Sequence, residues 1–192
     1  DTCYACTVRC KRVNEVTDGP FQVDPRYGGP EYETIAMMGS LVGVGDLDAI
    51  SLANQLSNMY GMDTVACGGT IAWAMEAFEA GVLTLDDTGG LEIKFGDAAL
   101  MVQLVQMICD REGLGDILAE GSAHAAAQLG KGAEFLITAK GQEAPAHMPQ
   151  VKRSLALIYA VNPFGSDHES SDHDLTYEEE SYKGFEDRYG SL

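Results

Sequence analysis

The chain has 192 residues, with 30 acidic against 12 basic side chains, a formal net charge of -18 and 45% hydrophobic residues. That is apolar material enough for one large or two small domains, while the acidic excess argues against nucleic acid and anionic membranes, which need a basic face. No apolar run reaches the length of a membrane span and no signal-like segment opens the chain, so a soluble cytoplasmic protein in a reducing compartment is expected.

In chain order, the first signal is chemical. Cys3, Cys6 and Cys10 lie close enough in sequence for three thiolates to converge on one metal centre. An iron-sulfur cluster takes soft thiolates at such spacings, normally four of them. Cys67 and Cys109 sit in apolar surroundings that suit core thiols better than ligands. Zinc prefers a second Cys or His pair at a regular distance, and the first histidine is only His124. Zinc and an unligated surface triplet stay as alternatives to the cluster. The odd cysteine count and the size of the chain argue against a disulfide framework.

Gly19-Pro20, Asp24-Pro25 and Gly28-Gly29-Pro30 predict a loop. In Glu31-Tyr32-Glu33-Thr34 the two carboxylates are two residues apart and cannot share a helix face, so one is expected inward and one in solvent. Asp46 or Asp48 predicts a helix to about Tyr60, buried through Ile50, Ala53, Leu56 and Met59 and ended by Gly61. A second helix is expected over Thr70–Glu79, with Ile71, Ala74, Met75 and Phe78 inward and Trp73 in the core. Leu83–Lys94 is turn-rich and marks a candidate domain boundary, giving domains 1–95 and 96–192. Asp97 begins a helix with the stripe Leu100, Leu104, Val105 and Ile108. Asp116 begins another, Ile117–Leu129, interrupted by Gly121. The sole strand candidate is Glu134–Thr138, and a mainly α protein is expected. Lys140–Pro149 predicts a proline-punctuated loop and Val151–Ala160 a helix. The segment from Phe164 to Asp174 then carries His168 and His173 among carboxylates, an arrangement open to metal binding, proton transfer or simple solvation.

Both ends look cut. The chain opens on Asp1 and presents its cysteines at once, and it stops just beyond the acidic run Glu178–Glu180. A piece of a longer polypeptide is expected.

Taken together, Cys3, Cys6 and Cys10, the run Glu31–Ser40, Gly69-Thr70-Ile71-Ala72-Trp73-Ala74-Met75-Glu76, Arg111–Asp116, Leu118–Gly121 and Lys140-Gly141-Gln142-Glu143 closely resemble the aldehyde ferredoxin oxidoreductase family of tungsten enzymes, in order along nearly the whole chain. The resemblance implies helical domains 2 and 3 of that fold, without its N-terminal β domain or its C-terminal part. It also implies a tungsten (or molybdenum) bis-pterin centre and a 4Fe-4S cluster whose first three ligands are Cys3, Cys6 and Cys10, the fourth falling beyond Leu192. Asn58, Gly61, Met62 and Asp63 match the first pterin-binding motif, with Asn58 where the family has Asp; an amide can still hydrogen-bond a pterin but brings no charge.

The resemblance places Glu33 and His168 near the metal, with Glu31 and His173 as fallbacks one turn away. His168 would polarise an aldehyde carbonyl and Glu33 would act as general base, or the two roles would be exchanged. Implied partners are a small aldehyde, ferredoxin as electron acceptor, the remainder of the same chain and, optionally, a second copy of it. The alternatives are a tungsten oxidoreductase on another substrate and a non-catalytic iron-sulfur electron carrier. After Lys140–Glu143 the family usually shows Asp-Pro-Arg, where this chain has His147, Met148, Pro149 and Gln150. The usual substrate preference therefore does not carry over, and the isolated 192 residues are expected to be inactive.

Overall fold

A computed structural model of the chain describes residues 4–151 and 153–170. The described residues are mainly helical: α1 (Tyr32–Ile35), a π-helical turn (Ala36–Ser40), α2 (Leu47–Tyr60), α3 (Thr64–Glu79), α4 (Ala98–Asp110), α5 (Leu114–Leu118), α6 (Ser122–Leu129) and α7 (Arg153–Val161). One two-stranded ladder, β1 (Thr138–Ala139) with β2 (Gln142–Glu143), is the regular sheet among them. No helix among the described residues is long and apolar enough to cross a membrane.

Aspartate caps set the long helices. Asp46 accepts from the amides of Asp48 and Ala49 at 3.0 and 3.2 Å. Asp97 accepts from Leu100 at 3.0 Å and starts α4. Each satisfies a backbone donor that has no partner inside the helix. Asp63 does the same for α3 through Val65 at 2.8 Å, so α3 starts at Thr64 and not at Thr70 as the pattern suggests. Gly68 and Gly69 obscure that start because glycine is a poor helix former. Gly68 is there for another reason: a Cβ would stand 2.7 Å from the carbonyl oxygen of Met37, so only glycine lets the π-turn lie on α3.

The core joins Met38, Ile50, Ile71, Met75, Met101 and Leu104, each at most 3% exposed. α2 packs on α4, and α4 on α5, so the apolar cluster continues on both sides of residue 95. The expected stripe on α2 holds through Ile50, Ala53 and Leu56 but not at Met59, which is 49% exposed. With 3.6 residues per turn the buried face drifts to Ser57, whose hydroxyl donates to the Ala53 carbonyl at 2.9 Å.

Two further expectations are corrected. The stretch 117–129 is not one helix, because Gly121 at φ 89° separates α5 from α6, and Asp116 sits inside α5, paired with Arg111 at 3.1 Å, with Gly113 in the capping place. Of the strand expected over Glu134–Thr138, Glu134 and Phe135 lie in a 3-10 turn, Ala133–Phe135, and Leu136 and Ile137 are irregular. Pairing begins only at Thr138, opposite Glu143, with Ala139 opposite Gln142. Lys140 and Gly141 both take positive φ, 55° and 83°, which is what a two-residue hairpin turn requires.

The hairpin fixes what surrounds it. Glu143 is 4% exposed. Its Oε1 accepts from the Ser122 amide at 2.7 Å, the Ser122 hydroxyl at 2.6 Å and the Thr70 hydroxyl at 3.2 Å. One buried carboxylate thus ties β2 to α3 and to the N-terminus of α6, where negative charge is favoured. On the other strand, Gly165 at φ 96° approaches so closely that a Cβ would collide with the Ala139 carbonyl oxygen. The segment after α7 is seated there.

Candidate active site

Three segments far apart in sequence meet beside α1. Glu33 comes from α1, His147 from the loop after β2, and His168 from the segment that Gly165 seats on β1. Their side chains are 14%, 15% and 13% exposed. Glu31 points to solvent, so of the two neighbouring carboxylates one turns inward, as their spacing predicts. His173 lies outside the described residues.

Both oxygens of Glu33 are held by consecutive residues of one loop. Oε1 is in direct hydrogen-bond contact with His147 Nδ1, and Oε2 accepts from the Ala146 amide at 2.9 Å. His168 Nε2 stands 3.7 Å from Glu33 Oε1 and 3.1 Å from a carboxylate oxygen of Glu169. The two imidazoles stack, with centroids 4.5 Å apart and planes 18° from parallel, and Tyr32 meets His147 edge-on at 5.4 Å. Tyr159 of α7 donates its hydroxyl to the His147 carbonyl at 2.8 Å.

Burial and the nearby Glu33 and Asp167 carboxylates push the Tyr159 phenol up to about 12, so it stays a donor at neutral pH. Asp167 is held below the usual carboxylate range, first by the Ser170 hydroxyl and then by the Glu169 amide. The ligand-type atoms of Glu33, His147 and His168 all lie within 4.8 Å of one another. The loop engages both carboxylate oxygens of Glu33, and His168 joins the trio by stacking on His147 and approaching Glu33 to 3.7 Å.

Tyr32 and Ala146, adjacent in sequence to Glu33 and His147, also line a cavity of about 670 Å³. Its walls include Ile35, Trp73, Phe135 and Met148, with Glu143 and Ser122 as polar groups. Such a space takes a small, largely apolar molecule.

The remaining expected site residues lie elsewhere. Cys3 falls outside the described residues. Cys6 is half-buried and Cys10 exposed, on a loop where Ala5 and Arg9 adopt positive φ. Burial keeps Cys67 and Cys109 protonated, pushed up to about 12 and about 11, which makes them poor thiolate donors. Cys6 and Cys10 offer the soft sulfur donors that a metal cluster takes, and the two inner cysteines pack in or against the core, as expected of them.

Asn58, Gly61 and Asp63 are exposed around the end of α2. Asn58 Nδ2 donates to the Tyr27 carbonyl at 2.8 Å, Gly61 takes the left-handed conformation at φ 72°, and Met62 packs its sulfur 3.9 Å from that of Cys109. Gly61 and the exposed polar groups of Asn58 and Asp63 fit a hydrogen-bonding ligand approaching from outside the described residues, although the Asn58 amide nitrogen is already committed to Tyr27.

Sequence reasoning missed the part His147 plays. It noted the residue only as a departure from the family pattern. The usable signal was a histidine between two prolines, Pro145 and Pro149, in a stretch too short to be anything but a held loop.

The chain belongs to the aldehyde ferredoxin oxidoreductase family: the family description "Aldehyde ferredoxin oxidoreductase, domains 2 & 3" matches residues 1–190. Among individual proteins, it is 38% identical over 172 residues to the tungsten-containing aldehyde ferredoxin oxidoreductase of Pyrococcus abyssi, covering 86% of this chain and 27% of that protein. Its likeness to the enzyme of the same name in Thermococcus kodakarensis is 38% over 170 residues, with the same coverage. It is 30% identical over 175 residues to the aliphatic sulfonate oxidoreductase, WOR-like subunit, of Pyrococcus furiosus, covering 88% of this chain and 28% of that one. The chain thus spans a little over a quarter of the length of these relatives.

Proposed function

We propose that this chain forms the acid-base wall of a tungsten-dependent oxidoreductase that oxidises a small aldehyde to a carboxylic acid and delivers electrons to ferredoxin. The observation that carries this reading is the meeting of Glu33 and His168 in one largely buried cluster beside an apolar cavity, in a chain of this family. The balance is aldehyde plus water giving carboxylic acid, two protons and two electrons.

Glu33, as a carboxylate, accepts a proton from water or from the aldehyde carbon, and His168 donates a ring N–H to the carbonyl oxygen; the geometry also permits the exchanged roles. With side chains only 14% and 13% exposed, Glu33 and His168 are themselves largely shielded from bulk water. When bound, a tungsten bis-pterin supplies the Lewis acid and two-electron acceptor, and a 4Fe-4S cluster passes electrons on singly.

In this reading residues 1–95 carry Cys3, Cys6 and Cys10 as three cluster ligands, with Asn58, Gly61, Met62 and Asp63 against a pterin. Residues 96–192 supply the histidine-bearing loops. The remainder of the polypeptide adds the fourth thiolate and the second pterin motif, and the enzyme works in the cytoplasm. The likeness to the sulfonate oxidoreductase subunit and the His147–Gln150 departure favour one second reading, the same metal chemistry on a non-aldehyde substrate.

Metal analysis of the complete polypeptide after anaerobic purification tests the cofactor assignment. Tungsten with about four irons per chain is expected, whereas iron without tungsten or molybdenum would leave an electron carrier. In the same protein, Glu33→Gln is expected to lower turnover by about 10²- to 10⁴-fold with metal content unchanged. Undiminished turnover overturns the role of Glu33.

A further inference from the structure

We infer that His147 is a positioning residue for Glu33: its Nδ1–H, together with the amide of the preceding residue, holds the carboxylate in the orientation the reaction needs. This rests on the reading above that Glu33 is the acid-base group. The geometry is that of a base oriented by a third group, a recurrent logic of catalytic constellations.

A glutamate on a short helix would ordinarily be free to rotate about its outer bonds and would sample several orientations. Here Oε1 meets His147 Nδ1 while Oε2 takes the Ala146 amide at 2.9 Å. Two donors on successive residues of one loop fix both the position of the carboxylate and the rotation of its plane. Because a carboxylate only accepts, Nδ1 must carry the proton, which selects the tautomer of His147.

The orienting group is itself constrained from three sides. Tyr32 lies edge-on against the imidazole, His168 stacks on it, and the Tyr159 hydroxyl holds the His147 carbonyl at 2.8 Å. Pro145 and Pro149 restrict the backbone on either side. Rotational freedom is thus removed from Glu33 before any substrate arrives, and preorganisation of this kind acts on the chemical step more than on substrate binding.

Two substitutions in the complete enzyme separate the hydrogen bond from the packing. His147→Phe keeps an aromatic ring between Tyr32 and His168 but removes the donor. His147→Asn loses the ring but keeps an N–H near the place of Nδ1. We expect kcat to fall about 100-fold in His147→Phe with KM within about twofold of the parent, and to fall less than about tenfold in His147→Asn. Iron and tungsten contents are expected to match the parent in both. Crystal structures give a readout independent of turnover: the Glu33 carboxylate leaves the Ala146 amide in the Phe variant and stays on it in the Asn variant.

The inference is overturned if His147→Phe is at least as active as His147→Asn, or if the carboxylate is unmoved in the Phe variant. Should the Phe variant not accumulate, a loss of more than about 100-fold in well-folded His147→Asn overturns it equally. Full activity of Glu33→Gln would bring down the underlying assignment. An inactive Glu33→Gln beside a fully active His147→Phe would remove the positioning role alone.

Discussion

The α2–α3–α4 core and the Glu33 cluster are built in opposite ways. The core is made from helices that each carry an aspartate cap and bury an apolar face, and packing then joins them. The cluster has no element of its own. It takes one residue from a four-residue helix and two from irregular segments, and the contact from Glu33 to His147 spans 114 positions. Stability can therefore be lost in the core by removing volume, whereas the cluster is damaged by small displacements that leave the fold standing.

The largest expected stability effect breaks the core side of that comparison. Leu104 is fully buried in α4, and Leu104→Ala leaves a cavity in the shared apolar core. It should cost about 2–5 kcal/mol, read as a lowered melting temperature of the complete protein, while enzyme that remains folded keeps its turnover per tungsten. Loss of turnover per tungsten without a thermal shift would show that core and cluster are not separable.

Gly165→Ala sharpens the other side. A side chain at φ 96° that also meets the Ala139 carbonyl should cost about 1–3 kcal/mol. Its larger consequence should be kinetic, because the segment carrying His168 must lift from β1. The checks are melting temperature and kcat together, and a thermal loss with unchanged kcat would detach Gly165 from the site.

The smallest effect belongs to neither region. Lys131 and Thr84 hold the Asp87 carboxyl down at about 2, with Lys131 Nζ 2.7 Å away. A carboxyl depressed in the folded state contributes stability above its unfolded pKa and loses it as pH falls through the folded value. Asp87→Asn should thus flatten the acid dependence of unfolding between about pH 4 and pH 2 and slightly lower stability at neutral pH, where the parent carboxylate contributes in full. An equally steep acid transition in the variant would remove the ion pair from the account.

Much of the core was legible in the sequence because its signals are short-range. Asp46, Asp97 and the stripes on α2 and α4 announce themselves within one or two turns. Errors came where two local signals conflicted. Gly68 is a poor helix former by type yet lies inside α3 as a point of backbone contact, so the helix was expected only from Thr70; Lys140 took the turn position usually given to Asn or Gly, so the hairpin was read as loop.

Glu33 and His168 were reachable only through resemblance, since neither has a local signature. His147 was passed over because nothing within a few residues of it reveals that its partner lies on α1. The expectations at Cys3 and His173 concern residues outside those described.

The hairpin has a consequence for how error propagates to the site. β1 seats the His168 segment through Gly165, and β2 leads directly into the loop of His147. The two imidazoles are in effect measured from one datum, so a shift of the hairpin carries both in the same sense and their 4.5 Å stacking distance is insulated from it. Glu33 has a different origin, on α1 over the π-turn that Gly68 admits to α3. Relative motion of those two reference bodies is registered at the joint between the glutamate and the loop that grips both of its oxygens.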